Sequence, residues 1–284
     1  MTVDEKLAAI LAAVQTDPGN RGLARDPHDN LFTATADDFR AACRSLATAP
    51  PAICRIQTGF FIPTADRPAF ETDGPPGALV LGRTLAALGW FVHYQAEIEV
   101  RVAIEAGRWS ARPSPVWVSR PAITHAIAVE RSGPSADGRH YTMRGRDITD
   151  HLDPRPLKTA DEVTIGIGDG GNEIGMGKLP HETVVRHIPN GDLIHCRVPT
   201  DHLIVAGVSN WGAYALAAGV FVLRGVKPPA DLFDPDRERE ILEVMVREGP
   251  LVDGVTGKQT ATVDGLTWDE YAAPLTRIRA ILES

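Results

Sequence analysis

The sequence predicts an α/β protein: a mostly parallel sheet flanked by helices in three layers, with ligand loops at the carboxyl ends of its strands. Three observations carry this. Short apolar, β-branched runs alternate with segments of helical spacing along most of the 284 residues, as expected of strands joined by crossover helices. Several of those runs end in glycine-rich polar loops, and open α/β sheets place ligands at that end of their strands. The composition is that of a globular chain, 43% hydrophobic and 23% charged, so burial alone can hold the core.

Taken in order, residues 3–15 and 36–47 have helical spacing, with Thr35 or Asp37 available to cap the second. Between them DPGNRGLARDPHDN reads as a turn-rich surface connection. A strand at 52–57 precedes a helix at 77–88, whose first turn suits Pro75 and Pro76. A strand at 91–94, a helix at 96–107 and strands near 115–118 and 123–129 follow, then a long polar excursion over 131–150. A β-branched run at 163–167 is another strand, and so is 203–206; helices at 212–223, 235–247 and 268–283 close the chain. No linker or internal repeat interrupts this order, so 1–284 is expected to be a single α/β domain with an N-terminal helical extension over about 1–50.

Composition excludes some functions. The formal charge of −8 lacks the basic face that nucleic acid or an anionic membrane requires. The longest apolar run, 213–223, is half a membrane span, and the first residues read as an amphipathic helix, not a signal peptide. Cys43, Cys54 and Cys196 are distant from one another and form no CxxC pair, a pattern suited to a reducing cytoplasm. The chain is therefore expected to be cytoplasmic, to act on a small acidic molecule, and to have the option of a homo-oligomer.

The densest signal is TIGIGDGGNEIGMGK at 164–178, with five glycines between Gly168 and Gly177. Glycine permits positive φ and close approach to the backbone at an entropic cost, so a loop this rich in it points to a ligand lying against the main chain. Three similar loops are Thr58-Gly59 with Glu71-Thr72-Asp73-Gly74, Glu130-Arg131-Ser132-Gly133, and Ser209-Asn210-Trp211. In a parallel sheet all four emerge at one edge, bringing carboxylates, the cations Arg131, Arg144 and Lys178, and the amides of Asn172 and Asn210 to one crevice. Asp169 and Glu173 on the glycine loop form an acidic pair able to hold a hard divalent cation such as Mg or Mn. Asp73 also suits a cap on the helix that follows it, and His125 and Trp211 suit the core. The common nucleotide and nucleophile motifs fail. GVTGKQT lacks the first glycine and the hydroxyl residue of a phosphate loop, Gly166-x-Gly168-x-x-Gly171 would set Asp169 against a pyrophosphate, and no GxSxG is present.

TGF at 58–60, ETDGPPGA at 71–78, ERSGPSADGRHYTMRGRDIT at 130–149, GIGDGGNEIGMGK at 166–178, GVSNWGAYAL at 207–216 and VDGVTG at 252–257 together resemble the D-glutamate cyclase family. The likeness covers about residues 50–283 and is narrower for its bacterial stand-alone domain, similar to the C-terminal part of the animal mitochondrial protein. It implies a hydro-lyase that converts D-glutamate to 5-oxo-D-proline and water. That chemistry asks for a base to free the α-amine, and Asp169 and Glu173 are the candidates. It asks for charge relief at the attacked γ-carboxylate, from Lys178, a divalent cation or the amides of Gly170 and Gly171. Arg131 or Arg144 would grip the α-carboxylate, Glu71 or Asp73 would protonate the departing oxygen, and Thr58, Asn172, Ser209 and Asn210 would line the pocket, with 131–150 covering it. Two other readings use the same residues: a metal-dependent phosphoryl-transfer enzyme, because GDGGNE is similar to an acidic loop of haloacid-dehalogenase-type enzymes although DxDxT is missing, and a non-catalytic small-molecule-binding module.

Overall fold

The computed structural model describes residues 1–109 and 122–284. The chain order is α1 (Val3–Val14), α2 (Asp38–Thr48), β1 (Ile53–Gly59), a hairpin of β2 (Phe61–Ile62) and β3 (Ala69–Phe70), α3 (Pro75–Ala87), β4 (Phe91–Gln95) and α4 (Ile98–Trp109). It continues with β5 (Ile123–Arg131), β6 (Val163–Gly168), α5 (His181–His187), α6 (Gly191–Ile194), β7 (His202–Val205), α7 (Ser209–Arg224), α8 (Pro235–Glu248) and α9 (Trp268–Glu283). The strand expected near 115–118 lies outside the described residues.

Five strands form one sheet in the order β4-β1-β5-β6-β7, and every neighbouring pair is parallel. Alternation sorts their side chains onto two faces. Ile127, Val129, Ile165, Ile167 and Ile204 join the large core under α3 and α7, whereas Ala126, Ala128, Leu203 and Val205 face the opposite layer. That second layer is built from α5, α6 and irregular chain, so the protein is a three-layer α/β fold. Helix α7 is its central rod: residues 209–221 are all buried, as befits a helix that is apolar all round. It stops at Gly225, which takes the left-handed conformation of a helix terminator.

The connectivity locates the crevice. The chain steps from β1 to β4 on one side, then returns to place β5 on the other side of β1. The connections diverge between β1 and β5, and in such sheets the gap at the carboxyl ends of those strands is where ligands bind.

Two helix starts are fastened to each other at this gap. Asp73 Oδ2 accepts from the Ser209 N–H at 2.8 Å and Oδ1 from the Asn210 N–H at 2.8 Å, so this carboxylate serves the first turn of α7. In return Asn210 Oδ1 accepts from Gly74 N at 3.0 Å and Gly77 N at 2.8 Å, at the first turn of α3. Asp73 thus caps a helix 136 residues away, not the adjacent one. This is why α7 begins at Ser209, earlier than apolar spacing alone indicates: its exposed N–H groups find partners in trans. The crossing is close because position 77 is glycine; a Cβ there would meet the Ala213 Cβ at 2.8 Å.

Candidate functional site

A cavity of about 150 Å³ opens at the β1–β5 gap. After β1 come Phe60, Ile62, Glu71 and Asp73; from the end of β5, Glu130; from the loop after β6, Asp169, Asn172 and Glu173. The remaining wall is Thr142, Met143 and Arg144 of the 131–150 excursion, Thr64, Gly254 and Val255, and the pair Arg21 and Asp264. The excursion therefore does border the cavity, as expected of a cover.

Its floor is acidic. One carboxylate oxygen each from Asp73, Glu130 and Asp169 lies within 4.8 Å of the other two, and all three residues are buried. Glu130 reaches this position through a distortion of β5. Thr58 pairs with Val129 and Gly59 with Arg131, so Glu130 is the extra residue of a bulge, with φ at +44°. A bulge re-aims side chains. Here it turns Glu130 toward the cavity, where its Oε2 accepts from Ser209 Oγ at 2.6 Å. Arg131 is turned away: it pairs with Glu97 at 2.7 Å and donates to the Gly59 and Asp153 carbonyls. The other proposed carboxylate clamp, Arg144, is exposed at the cavity mouth and has no ion-pair or hydrogen-bond partner among the described residues.

Asp169 is held by Arg21, whose Nη1 lies 2.8 Å from its Oδ2, while Nη2 lies 2.9 Å from Asp264 Oδ2. Arg21 also donates to the Gly207 carbonyl at 3.0 Å. Burial opposes this guanidinium's charge, but Asp169 and Asp264 outweigh it and raise its proton affinity well above the ordinary value. The carboxyls behave oppositely. Burial pushes Asp169 well up, against the pull of Arg21. Burial, reinforced by Asp264, takes Asp73 to about 7. Burial followed by Asp169 and Glu173 drives Glu130 up, and burial followed by Asp264 and Asp73 drives Glu71 up.

The glycine loop does not lead straight into a helix. It folds around Glu173, whose oxygens accept from the Asp169 N–H at 3.2 Å and the Gly171 N–H at 2.9 Å. Glu173 is raised by burial and lines the cavity, but its carboxylate braces the loop. The carboxylate oxygens that approach Asp169 within 4.8 Å are those of Asp73 and Glu130; Glu173, the partner expected from the loop sequence, lines the same cavity and adds to the rise of Asp169. The same bonds commit two loop amides. Gly170 lies under Asn172 and Glu173: a Cβ there would sit 2.8 Å from Asn172 Oδ1 and 2.9 Å from Glu173 Oε1.

The other expected residues are placed as follows. Asn172 lines the cavity; its Nδ2 donates to the Tyr141 carbonyl at 2.7 Å, while its buried Oδ1 has no partner among the described residues. Ser209 is reached only through Glu130, and Asn210 is spent on the helix starts and on the Thr72 carbonyl. Thr58 is fully buried, its hydroxyl has no partner among the described residues, and it is not among the lining residues. Lys178 lies elsewhere, bound to Asp38 at 2.6 Å and the Asp201 carbonyl at 2.7 Å. His125 and Trp211 are core residues; burial lowers His125 to about 4, and Trp211 donates to the Tyr271 carbonyl.

Arg21, Glu130 and Asp264 are the lining residues that motif reading undervalued. Glu130 stood in a recognised loop beside an arginine that drew the attention. Asp264, with φ at +56° in a tight turn, carried no signal beyond the Asp-Gly pair.

Among the described residues no helix is long and apolar enough to cross a membrane. A family model described as "D-glutamate cyclase-like, C-terminal" matches residues 10–279. Human mitochondrial D-glutamate cyclase is 33% identical over 330 aligned positions, which cover 97% of this chain and 51% of the human protein. The chain thus spans about half the length of that relative. With the GDGG loop, the ETDG turn and the VDGVTG turn all meeting at one cavity, and with both matches running nearly end to end, the chain belongs to the D-glutamate cyclase-like C-terminal family.

Proposed function

We propose that the chain is a cytoplasmic enzyme that closes D-glutamate to 5-oxo-D-proline with loss of water. The observation that carries this reading is the cavity itself: small, lined with carboxyl groups of raised proton affinity, and opening beside Arg144, which is exposed and has no partner among the described residues. Membership of the family supports the same substrate. A cavity of about 150 Å³ holds a molecule the size of one six-membered ring. A folded five-carbon acid fills such a space and leaves its α-carboxylate at the mouth, where the planar fork of Arg144 suits it.

The reaction moves protons without changing their number. The α-ammonium gives up one before nitrogen attacks the γ-carbon and a second as the lactam forms. The C–O bond to one γ-oxygen breaks, and that oxygen gains both protons and leaves as water. A group that takes and returns protons near neutrality needs a proton affinity matched to that pH. Glu71 is the best placed. It is 6% exposed, lines the cavity, and accepts no hydrogen bond among the described residues, and its surroundings raise its affinity. Glu173 and Asp73 are also raised, but both are tied to backbone N–H groups. Asp169 is the partner of Arg21 and, through it, sets the charge on the floor. The γ-carboxylate brings one more negative charge to this wall of acids, which has to be offset before the tetrahedral oxygen can develop.

The test is direct. Purified protein incubated with D-glutamate should form 5-oxo-D-proline, followed by proton NMR. No turnover together with no D-glutamate binding would remove this substrate assignment.

A further inference from the structure

The acid inventory of the cavity does not balance. Glu71, Asp73, Glu130, Asp169, Glu173 and Asp264 line it, and against them the lining offers two cations, Arg21, 12% exposed at its side chain, and Arg144, exposed at the mouth. Arg21 is shared between Asp169 and Asp264. Buried charges persist only when paired, neutralised or bound to a metal.

Hydrogen bonding leaves a defined remainder. Asp169 Oδ2 faces Arg21 and Glu130 Oε2 faces Ser209, and each residue's second oxygen accepts nothing among the described residues. Asp73 Oδ1 accepts from both Gly74 N and Asn210 N, but Oδ2 accepts only from Ser209 N and keeps a second lone pair. Two further acceptors on the same wall lack protein donors among the described residues. One is the Glu71 carboxylate; the other is Asn172 Oδ1, on a side chain only 1% exposed. A buried acceptor left unsatisfied is costly, and five oxygen-bearing side chains with capacity to spare around one small space share a single remedy.

We propose that Asp73, Glu130 and Asp169 hold one hard divalent cation, Mg²⁺ or Mn²⁺, and that Glu71 and Asn172 accept hydrogen bonds from the waters completing its shell. The donors are all oxygens, the preference of these ions. Opposite oxygens bound at about 2.0–2.6 Å lie roughly 4–5 Å apart, and the three carboxylate oxygens already fall within 4.8 Å of one another. Two positive charges there offset the acid wall and give an incoming γ-carboxylate a counter-charge. The inference deepens the cyclase reading in that respect, but ion binding itself needs no substrate.

The experiment uses the whole chain stripped with EDTA and desalted. Mn²⁺ is titrated in by calorimetry and by electron paramagnetic resonance of the free ion, without D-glutamate. One saturable equivalent is expected, displaced by excess Mg²⁺ and weakened at least tenfold in Glu130→Gln and in Asp169→Asn. Glu105→Gln, in an exposed stretch of α4, should bind as wild type does. Should a cavity variant fail to fold, wild type alone decides through pH: protons compete for the same carboxylates, so affinity must fall between pH 8 and pH 5. Absence of saturable binding up to millimolar Mn²⁺, binding unchanged in both cavity variants, or affinity independent of pH overturns the site. Mn²⁺ binding without turnover of D-glutamate keeps the site and removes the cyclase reading; turnover unaffected by EDTA keeps the cyclase and removes the ion.

Discussion

Replacing Arg21 by methionine tests the electrostatics of the floor. The side chain is only 12% exposed and touches two carboxylates, Asp169 at 2.8 Å and Asp264 at 2.9 Å. At an effective dielectric of about 20 each such pair is worth roughly 4 kcal/mol, gross. Much of that is cancelled by the cost of burying the guanidinium. Methionine keeps most of the packing but leaves two buried acids uncompensated, and breaking a buried pair from one side costs about 3–5 kcal/mol. Against a typical stability of about 5–15 kcal/mol, the variant should be marginal. Its deficit must also depend on pH. Removing the cation raises the folded-state proton affinity of Asp169 further above that of the unfolded chain. Such an acid leaves stability intact below its unfolded pKa and erodes it as pH rises through its folded pKa. Urea denaturation at pH 5.5 and pH 8 should therefore show the larger loss at pH 8, by at least about 1 kcal/mol, with an unchanged slope in urea. A loss under about 1 kcal/mol at pH 8, or equal losses at both pH values, would refute the reasoning.

Three further substitutions probe separate parts of the account. Arg144→Ala should raise KM for D-glutamate roughly 10–100-fold, the value of one charge-assisted contact, while the melting temperature stays put because the side chain is exposed and unpaired; an unchanged KM removes Arg144 from the substrate. Glu238 is buried behind α7, accepts from the Tyr214 hydroxyl and is lifted by burial from 4.5 to about 7. That gap is roughly 2.5 decades of proton affinity, or about 3 kcal/mol, lost as pH rises from 4.5 toward 7; Glu238→Gln should flatten the stability profile across that window, and an identical slope in wild type and variant contradicts it. Asn210→Ala strips the acceptor from Gly77 and a donor from the Thr72 carbonyl, while Gly74 keeps Asp73 Oδ1. At about 1–3 kcal/mol per orphaned buried group, equilibrium denaturation should show a loss of about 2 kcal/mol or more, and a loss below about 1 kcal/mol contradicts the cross-capping of α3 and α7.

Much of the fold was legible because its strands and helices announce themselves locally. The Val163–Gly168 run, the proline start of α3 and the Thr267 cap of α9 each carry a nearby signal. The crevice was legible because glycine-rich loops after parallel strands share an edge. What stayed hidden depends on long-range geometry. Arg21 lies in a segment that reads as surface turn, and its partner Asp169 is 148 residues away. The bulge that exchanges Glu130 for Arg131 has no footprint in strand alternation, so the arginine looked like the ligand and the glutamate like its neighbour. Lys178 sits close to Glu173 in sequence, but the loop turns at Gly175, φ +112°, and the chain then carries the lysine to Asp38. Helices α5 and α6 are too short, at 7 and 4 residues, to establish a period.

The most direct measurement is the turnover of D-glutamate by Glu71→Gln, read beside its melting temperature. Glu71 is a cavity carboxyl that accepts no hydrogen bond from another side chain or backbone group among the described residues, so a neutral amide there should leave the fold as stable as before or more so. The account predicts that kcat for 5-oxo-D-proline formation drops at least about 10²-fold in a protein that melts no lower than wild type. A Glu71→Gln protein that cyclises D-glutamate within a few-fold of the wild-type rate would contradict it.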